Sequence, residues 1–476
     1  MEAREDKNDL TVGSLPKKII LFVLPVIFTS LLQLVYSTAD LLVARYFGDG
    51  ALSMTAIADN SALINLIVNT FVAMSVGVNV VVADAKGAKD PERAGHAISS
   101  GLVFSLILGA VMGIAGCFLA KYFLILMHTP DTILPKATTY LSIYFAGIPF
   151  LLSYNFLTAS LRGLGDSRSP LLILIACGAI NVGGNFLCVY LFNNVWHIEN
   201  GDVMGVAIST ISCQAIEAIA SVIVLFHKKK KDGYGLCKED FAKPFAQLKP
   251  ILKHGLPSGL EIFLFALSNV TIQAQANLLG DIAVTGGAAS DNIEGYVFAA
   301  LEAFAVAEVA LAAQNYAASE YKRVKKSLGY CYLFIAVLGL TLAGLVILFR
   351  RPLINLYINS SGTEEEEKAI SVGCARLALM GGTYWMCGFM DTGNGYLRGL
   401  HHPILPTVIA LLCGCLFRVI YCTTLWRFVI FPMENLSDEV KIVLDYAAYP
   451  ICWVMAMITH AIVIPRVSKK DLAERA

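Results

Sequence analysis

Long apolar stretches recur along the whole sequence, separated by short polar segments. A helix that spans the hydrocarbon core of a bilayer needs about 20 mostly apolar residues, and these stretches reach that length. We therefore predict an all-α membrane protein with twelve transmembrane helices, at residues 18–47, 51–83, 93–120, 133–160, 169–193, 203–227, 250–279, 286–315, 327–349, 366–396, 404–427 and 442–465.

Composition supports a protein whose main partner is the lipid bilayer. The chain is 57% hydrophobic and only 15% charged, against about 25% charged in an ordinary soluble domain. Its 36 basic residues equal its 36 acidic ones, so no overall charge excess would attract nucleic acid. The first apolar stretch is too long for a signal peptide, and we expect no cleavage. The twelve cysteines lie scattered in apolar stretches and are interpreted as packing residues.

The distribution of charge along the chain predicts its orientation. Cytoplasmic loops of membrane proteins carry an excess of Lys and Arg. The loops on the side of the two termini hold most of the basic residues, including the run Lys228 to Lys231. We expect a multi-pass protein of the cell membrane with both termini in the cytoplasm.

The second half of the sequence repeats the first. At one offset, Leu24-Pro25 matches Leu256-Pro257 and Asp59-Asn60 matches Asp291-Asn292, and farther on Leu161-Arg162-Gly163-Leu164 matches Leu397-Arg398-Gly399-Leu400. Six helices per repeat give two halves of the same orientation, an arrangement typical of transporters with a central cavity that opens alternately to each side. The predicted division is an N-terminal six-helix lobe at 1–227, a basic cytoplasmic linker at 228–249, and a C-terminal six-helix lobe at 250–476.

Polar residues inside the first lobe form one candidate site. Gln33, Tyr36 and Asp40 fall on one stripe of the first helix, and an ionisable residue within the membrane is a functional candidate by default. Asn181 and Asn185 lie one turn apart on the fifth helix and offer amide oxygens beside the carboxylate. Two structural alternatives remain open: Asp40 pairs with Arg45 at the interface, or the two asparagines hold neighbouring helices together.

A second group of acids lies in the second lobe. The eighth helix carries four acids within an arc of about 120°, and a carboxylate stripe facing a cavity would attract cations. Asp291, like Asp59, is followed by Asn, and a helix-start cap is the alternative interpretation of both. Glu217 stands alone in the sixth helix and is interpreted as a helix–helix contact. The predicted cavity acids are Asp291, Glu294, Glu302 and Glu308, together with Asp391 and Glu261.

Motifs for catalysis and nucleotide binding were not found. The sequence has no GxxxxGK[ST] phosphate loop, no HExxH pair and no GxSxG elbow. We therefore expect neither an enzyme nor a bound cofactor or metal. Transport energy would then come from an ion gradient, and a buried carboxylate that takes up and releases a proton meets that need.

Several segments resemble the multidrug and toxic compound extrusion (MATE) family, in particular its bacterial branch related to DNA-damage-inducible protein F. In the first half they are LPVIFTSLLQLVYSTADLLVARYFG, LIVNTFVAMSVGVNVVVA, IYFAGIPFLLSYNFLTASLRGLGDSRSPL and INVGGNFLCVYLF. The second half adds GLPSGLEIFLFALSNVTIQ, NIEGYVFAALEAF, AAQNYAASEYKRV and FMDTGNGYLRGLHHPILP. Their order and spacing cover nearly the whole chain.

The resemblance implies two six-helix bundles around a central cavity and export of organic cations or other amphipathic compounds in exchange for protons or sodium. In relatives with an ion site in the first lobe, positions that match Gln33, Asp40, Asn181 and Asn185 carry the ion. The second asparagine is often Asp in the family, so sodium is less favoured here than protons.

The second lobe departs from the family pattern. A helix-seven Glu used by other relatives is Phe265 here, and Glu261 does not match it, whereas Asp391 and Glu294 match acids of the branch. Glu302 and Glu308 are additional acids that favour a cationic substrate. The run Asp84-Ala85-Lys86 replaces an Arg and aromatic residues, with an effect that the sequence does not define.

The leading prediction is thus a monomeric, ion-driven exporter of a small cationic or amphipathic molecule. One alternative is a flippase for lipid-linked precursors, whose cavity would need Arg and Lys for a pyrophosphate, whereas the embedded charges here are nearly all acidic. A non-transporting membrane sensor is the other alternative.

Overall fold

The computed structural model describes residues 8–358 and 362–473, and within these ranges the chain is helical and has no strand. The chain ends, whose side of the membrane the sequence predicts, lie partly outside the described residues. Twelve long helices follow one another: α1 (Leu15–Phe47), α2 (Ala51–Gly87), α3 (Pro91–Leu126), α4 (Leu134–Gly163), α5 (Arg168–Val195), α6 (Gly201–Asp232), α7 (Leu248–Leu279), α8 (Asp281–Ala317), α9 (Tyr321–Ile354), α10 (Glu364–Gly399), α11 (Ile404–Ile430) and α12 (Glu439–Asp471). The predicted fold class is confirmed.

Eleven of these helices in the described ranges are long and apolar enough to cross a membrane, and α10 differs from them. Its sequence is rich in glycine and includes Arg376, Asp391 and Arg398. Because a polar helix cannot face lipid, α10 must be sheltered by its neighbours. Its residues Met380 and Leu397 indeed lie in the main apolar core of the second half.

The helices extend beyond several predicted ends. Helix α6 continues to Asp232, so the first residues of the predicted linker at 228–249 are helical. A short 3₁₀ turn at Glu239–Ala242 and the start of α7 at Leu248 complete that segment. Sequence patterns locate apolar cores better than helix ends, because a helix can continue past the apolar stretch into water.

Helix ends show the stop and start signals that the repeat conserves. Gly50 and Gly280 have positive φ (67° and 87°) and immediately precede α2 and α8, although the repeat aligns Gly280 with Gly48 and not with Gly50. After the two LRGL segments, Gly165 (φ 80°) and His401 (φ 64°) occupy equivalent positions. A left-handed residue after the last turn ends a helix and turns the chain. After the two LRGL segments the repeat therefore preserves the backbone conformation although the residue differs.

Close helix contacts depend on glycine. On α3, a Cβ added at Gly109 would meet Pro149 of α4 at 2.5 Å, and one at Gly113 would meet the Phe145 carbonyl oxygen at 2.8 Å. Small residues spaced in this way let the backbones of two membrane helices approach closely, which provides the van der Waals contact that replaces hydrophobic burial in lipid.

Three of the helices contain π-helical turns. They lie at Ile64–Val68 in α2, at Tyr190–Val195 at the end of α5, and at Ala410–Leu416 and Tyr421–Ile430 in α11. Wide turns of this kind occur frequently at functional sites. The turn in α5 follows directly on the segment that carries the predicted asparagine pair.

The chain divides into two compact units. The first comprises Leu24–Gly259 with the described part of Met1–Val12, and the second comprises Gly13–Val23 with Leu260–Ala476. The division therefore falls within α1 and within α7. Each unit has its own apolar clusters, built around Phe156 and Leu161 in the first and around Trp426 and Trp453 in the second.

Candidate ion and substrate sites

Three helices of the first unit bring their polar residues together around Asp40 of α1. The Asn185 amide of α5 donates to Asp40 Oδ1 at 2.6 Å, and the Thr210 hydroxyl of α6 donates to Asp40 Oδ2 at 3.2 Å. Asn185 also donates to Asn181 Oδ1 at 3.3 Å. The structure therefore joins the predicted residues Asp40, Asn181 and Asn185 in one hydrogen-bonded cluster.

One acceptor in this cluster is left open. Asn185 is fully buried, and its amide oxygen has no hydrogen-bond partner within the described part of the chain. Buried polar atoms almost always find a partner, so an open acceptor beside a carboxylate calls for an explanation. A proton carried on a neighbouring oxygen, or a small hard cation, is a partner that such an atom would accept.

Aromatic residues surround the cluster. The Tyr36 ring packs directly against the backbone of Gly178 in α5, where any side chain would collide with it. On α4, Tyr140 and Tyr144 lie within electrostatic reach of Asp40. Gln33 is exposed and makes no described hydrogen bond to the cluster.

The alternative pairing of Asp40 with Arg45 is wrong. No ion pair joins these two residues in the described structure, and the Arg45 guanidinium instead lies 5.8 Å from the centre of the neighbouring Tyr46 ring. Both Asp40 oxygens are directed to the neutral partners Asn185 and Thr210. The carboxylate is thus solvated by dipoles and not by a fixed positive charge.

Sequence reasoning missed what α6 contributes. Thr210 bonds the Asp40 carboxylate, and the Ser209 hydroxyl donates to the backbone oxygen of Asn181 at 3.2 Å. The sequence signal that could have indicated this contribution is the pair of consecutive hydroxyl residues, Ser209-Thr210, within an apolar helix. Glu217, seven residues on from Thr210 and so on the same helix face, is buried and within electrostatic reach of Tyr36 and Tyr154.

In the second unit, Arg376 of α10 binds two of the predicted acids. Its guanidinium contacts both oxygens of Glu294, at 2.9 and 3.1 Å, and Asp291 Oδ1 at 2.6 Å. It also donates to the Gly287 carbonyl oxygen and to the Tyr446 hydroxyl, each at 2.9 Å. Such a fully bonded, two-pronged pair fixes the relative position of α8 and α10.

A second arginine on α10 binds Glu261. Arg398 donates to Glu261 Oε2 at 2.5 Å, and the Asn394 amide donates to Oε1 at 3.1 Å. Asn394 Oδ1 in turn lies 3.0 Å from His460 Nε2 of α12. Glu261 therefore belongs to a network that links α7, α10 and α12.

The remaining predicted acids are separated from these pairs. Glu308 is fully buried and accepts from Ser327 at 2.7 Å and from Cys331 at 3.2 Å, both on α9. Asp391 accepts from Cys387 at 3.4 Å. Glu302, which like Asp291 is exposed, lies within electrostatic reach of Asp391.

The structure corrects two sequence interpretations in this unit. Helix α8 begins at Asp281, so Asp291 lies within it and does not cap its start. The embedded charges are also not nearly all acidic, because Arg376 and Arg418 are buried and Arg398 is almost so. Among the described residues Arg418 contacts only neutral groups, including Asn269 Oδ1 at 3.0 Å and the Tyr449 ring at 4.2 Å.

The described residues contain no group of three or more His, Cys, Asp or Glu arranged to hold a metal ion. All twelve cysteines are free thiols. The sites are thus made of carboxylates, amides, hydroxyls and arginines placed within a helical membrane protein, and polar groups of this kind at membrane depth are typical of a transporter.

Comparison with known proteins shows the family to which this chain belongs. The MatE family profile matches residues 25–187 and 257–424, one match in each sequence repeat. The chain belongs to the MatE family of membrane transporters.

Relatives of similar length exist in bacteria. The chain is 24% identical over 454 residues to "Probable multidrug resistance protein YoeA" of Bacillus subtilis, with 93% of this chain and 95% of that protein aligned. It is 27% identical over 412 residues to "Probable multidrug resistance protein YpnP" of the same organism, with 86% and 88% aligned.

A solved structure of a MOP superfamily transporter from Pyrococcus furiosus has the same fold. Its TM-score is 0.82, with 18% sequence identity, over 98% of this chain and 99% of that one. In that transporter, the reverse polarity of the binding pocket suggests a different function.

Proposed function

We propose that this protein is a secondary active antiporter that exports drugs, organic cations or other amphipathic compounds by alternating access. The names of the two Bacillus subtilis relatives, both described as probable multidrug resistance proteins, support the cargo class. The internal repeat supports a central cavity that opens alternately to each side. Protons are the favoured coupling ion, and sodium is the second candidate.

The observation that carries the proposal is the cluster around Asp40. Its two hydrogen bonds come from Asn185 and Thr210, on two different helices. Hydrogen bonds to an ionised group are stronger than those to a neutral one. Uptake of a proton by the Asp40 carboxyl group would therefore loosen α5 and α6 from α1, and its release would tighten them again. Such a change biases an equilibrium between two helix arrangements.

The composition of the cluster favours a proton over sodium. A hard cation such as sodium is bound by several oxygen ligands, preferably with more than one carboxylate. Here Asp40 is the one carboxylate, and the Asn185 group turned towards it is the NH₂ donor and not the oxygen. Proton uptake by Asp40, unlike sodium binding, needs no further oxygen ligands.

Cationic cargo is supported by the balance of charge in the second unit. The six predicted acids and the buried Asp445 outnumber the three embedded arginines. Among these acids Glu302 and Asp291 are exposed. Asp291, like Glu294 and Glu261, is engaged by an arginine. We therefore assign first contact with a cationic substrate to Glu302 and Asp391.

A lipid-linked precursor flippase is the second candidate. Arg418 is a buried cation with no acidic partner among the residues that the structure describes, and a phosphate group is the kind of ligand that such an arginine binds. A non-transporting sensor has no comparable supporting observation. Orientation with both termini in the cytoplasm, a monomeric state and the absence of catalysis complete the proposal.

Asp40→Asn should abolish ion-driven efflux, because the amide cannot take up a proton, yet leave the protein folded in the membrane. Substrate efflux from proteoliposomes is measured under an imposed proton gradient and, separately, under an imposed sodium gradient. The control variant is Glu92→Gln, which changes an exposed carboxylate in the same way. Under the proton gradient we expect the wild-type protein and the Glu92→Gln variant to export substrate at the same rate. We expect no export by the Asp40→Asn variant. Wild-type rates in the Asp40 variant would refute coupling at this cluster.

A further inference from the structure

A cavity of about 380 Å³ lies in the second unit where three helices meet. None of the acids and arginines described above lines it, although Glu308 lies within electrostatic reach of Tyr396 in its wall. Its walls combine charged, hydroxyl and apolar groups. They include Lys325 and Leu328 of α9, Tyr396 of α10, and Ile464, Ser468 and Lys469 of α12.

The two lysines of this cavity carry charge that the described structure does not neutralise. Lys325 and Lys469 are exposed, and neither makes an ion pair or hydrogen bond with any residue in the described ranges. Asp471, the acid closest in sequence to Lys469, is engaged by His402, with its Oδ2 atom 2.5 Å from the ring Nε2. The cavity therefore has a net positive wall.

Hydroxyl groups lie between the lysine-bearing helices. Tyr396 and Ser468 are both buried and share a hydrogen bond of 2.9 Å between their oxygens. One hydroxyl proton remains available in such a pair, because only one is needed for the mutual bond. Together with the two ammonium groups, it makes a set of donors suited to the oxygens of a phosphate.

The position of the cavity points to a lipid. Lys325 lies near the start of α9 and Lys469 near the end of α12, where spanning helices leave the apolar part of a membrane. Leu328 and Ile464 continue the wall towards the apolar middle of these helices. Basic pockets between helices at this level fit the headgroups of anionic lipids, and the apolar wall fits the start of an acyl chain.

We propose that this cavity binds the phosphate headgroup of an anionic phospholipid. Lys325 and Lys469 pair with the phosphate oxygens, the Tyr396–Ser468 pair donates a hydrogen bond, and Leu328 and Ile464 contact the glycerol and upper acyl chain. One lipid then bridges α9 and α12 at their ends. The proposal is independent of the coupling ion and of the cargo.

The test uses the full chain in lipid nanodiscs and native mass spectrometry to count bound phosphatidylglycerol against phosphatidylcholine. The cavity variant is Lys325→Ala with Lys469→Ala, and the control is Lys326→Ala with Lys470→Ala, which removes the same charge from adjacent exposed lysines outside the cavity. Thermal midpoints in phosphatidylcholine check folding. If the double alanine variant has a lower thermal midpoint than the wild type, the variant Lys325→Gln with Lys469→Gln is used in its place.

We expect the cavity variant to bind phosphatidylglycerol roughly 20- to 30-fold more weakly, and the control to bind it as the wild type does. Equal loss in both variants would overturn the proposal, because it would show attraction to a basic surface and not to a site. Preference for inorganic phosphate over phosphatidylglycerol in competition would also overturn it, since it would define a free-anion site.

Discussion

Asp40 and Glu294 show two ways of holding a carboxylate away from water. Asp40 is held by an amide and a hydroxyl, which lower the cost of its charge without cancelling it. Glu294 is held by both prongs of Arg376, which it shares with Asp291, so a fixed positive charge lies beside it. A residue of the first kind can change its protonation state during a cycle, whereas one of the second kind fixes a structure.

Arg376→Ala should destabilise the protein severely. Removal of the arginine leaves Glu294, which is 1% exposed, buried without its partner, and breaking such a pair costs about 3–5 kcal/mol. The thermal midpoint of unfolding in detergent should fall sharply.

Replacing both partners, with Arg376→Met and Glu294→Met, serves as the control for that experiment. Because no charge is then left buried and unpaired, most of the lost stability should return. A double variant as unstable as Arg376→Ala would show that the pair matters through shape and not through charge.

At this scale the sequence predicted neighbours on one helix and grouped Asp40 with the two asparagines of another helix, but it missed the other contacts across helices. Asn181 and Asn185 are four residues apart, so their proximity follows from helix geometry. Arg376 and Glu294 are 82 residues apart, and only tertiary packing brings them together. Thr210 was missed for the same reason, since nothing in α6 alone indicates which carboxylate its hydroxyl meets.

At the scale of elements, the basic run Lys228 to Lys231 is not uniform. Lys228 is buried at the end of α6 and lies 3.0 Å from Asp166, in the turn between α4 and α5. Burial raises the pKa of Asp166, but Lys228 and hydrogen bonds from Ser169 lower it by more, so the net pKa is below its usual value. One lysine of the run therefore joins helices.

Lys228→Met should lower the thermal midpoint at pH 7, while Lys230→Met, at an exposed position of the same run, should not. A depressed carboxyl pKa contributes stability above its unfolded pKa of about 3.9 and loses it as the pH falls through the folded pKa. The difference between wild type and Lys228→Met should thus stay nearly constant from pH 7 to about pH 5 and shrink as the pH is lowered through about 4 and below. A pH-independent difference would mean that the lysine acts through packing alone.

Glycine spacing sets the distance between α3 and α4. Gly109→Ala should destabilise the protein, because its new methyl group would lie 2.5 Å from Pro149, and backbone there cannot move aside cheaply. Gly344→Ala is the matched control in another helix, since no atom lies within 4 Å of its added Cβ. Thermal midpoints of the two variants in detergent decide the point, and equal midpoints would contradict the close contact.

The existence and order of the helices followed from apolar length, which the membrane imposes. Their ends and irregular turns did not. The π-helical turn at Ala410–Leu416 lies within one continuous apolar stretch, and hydropathy does not distinguish it from a regular helix. Such turns depend on how neighbouring side chains pack, which is information outside the local sequence.

Across the whole molecule, the two repeats share a backbone plan and differ in polar chemistry. In the first unit Asp40 is held by neutral donors, and in the second unit several of the predicted acids are bound by arginines. The LRGL segment that reveals the repeat contributes Arg398 to this second network. We infer that ion coupling and contact with cargo are divided between the units.

Glu302→Gln should reduce transport of a cationic substrate more than that of a neutral one, because the exposed carboxylate attracts charge. Glu308→Gln should instead lower stability with little change in preference, since Glu308 is bound to Ser327 and Cys331. Efflux of a matched cationic and neutral pair from proteoliposomes measures the first effect, and thermal midpoints measure the second. Equal loss of both substrates in Glu302→Gln would make that acid structural.

The division between the units falls inside α1, after Val23, and inside α7, after Gly259, close to the repeated Leu-Pro at each position. Two polypeptides made by cutting the chain between α6 and α7 would therefore not be two complete units. The segment Gly13–Val23 belongs to the second unit but would be on the first fragment. The part of α7 up to Gly259 belongs to the first unit but would be on the second fragment. Co-expressed fragments would have to exchange these segments, as the subunits of a domain-swapped dimer do.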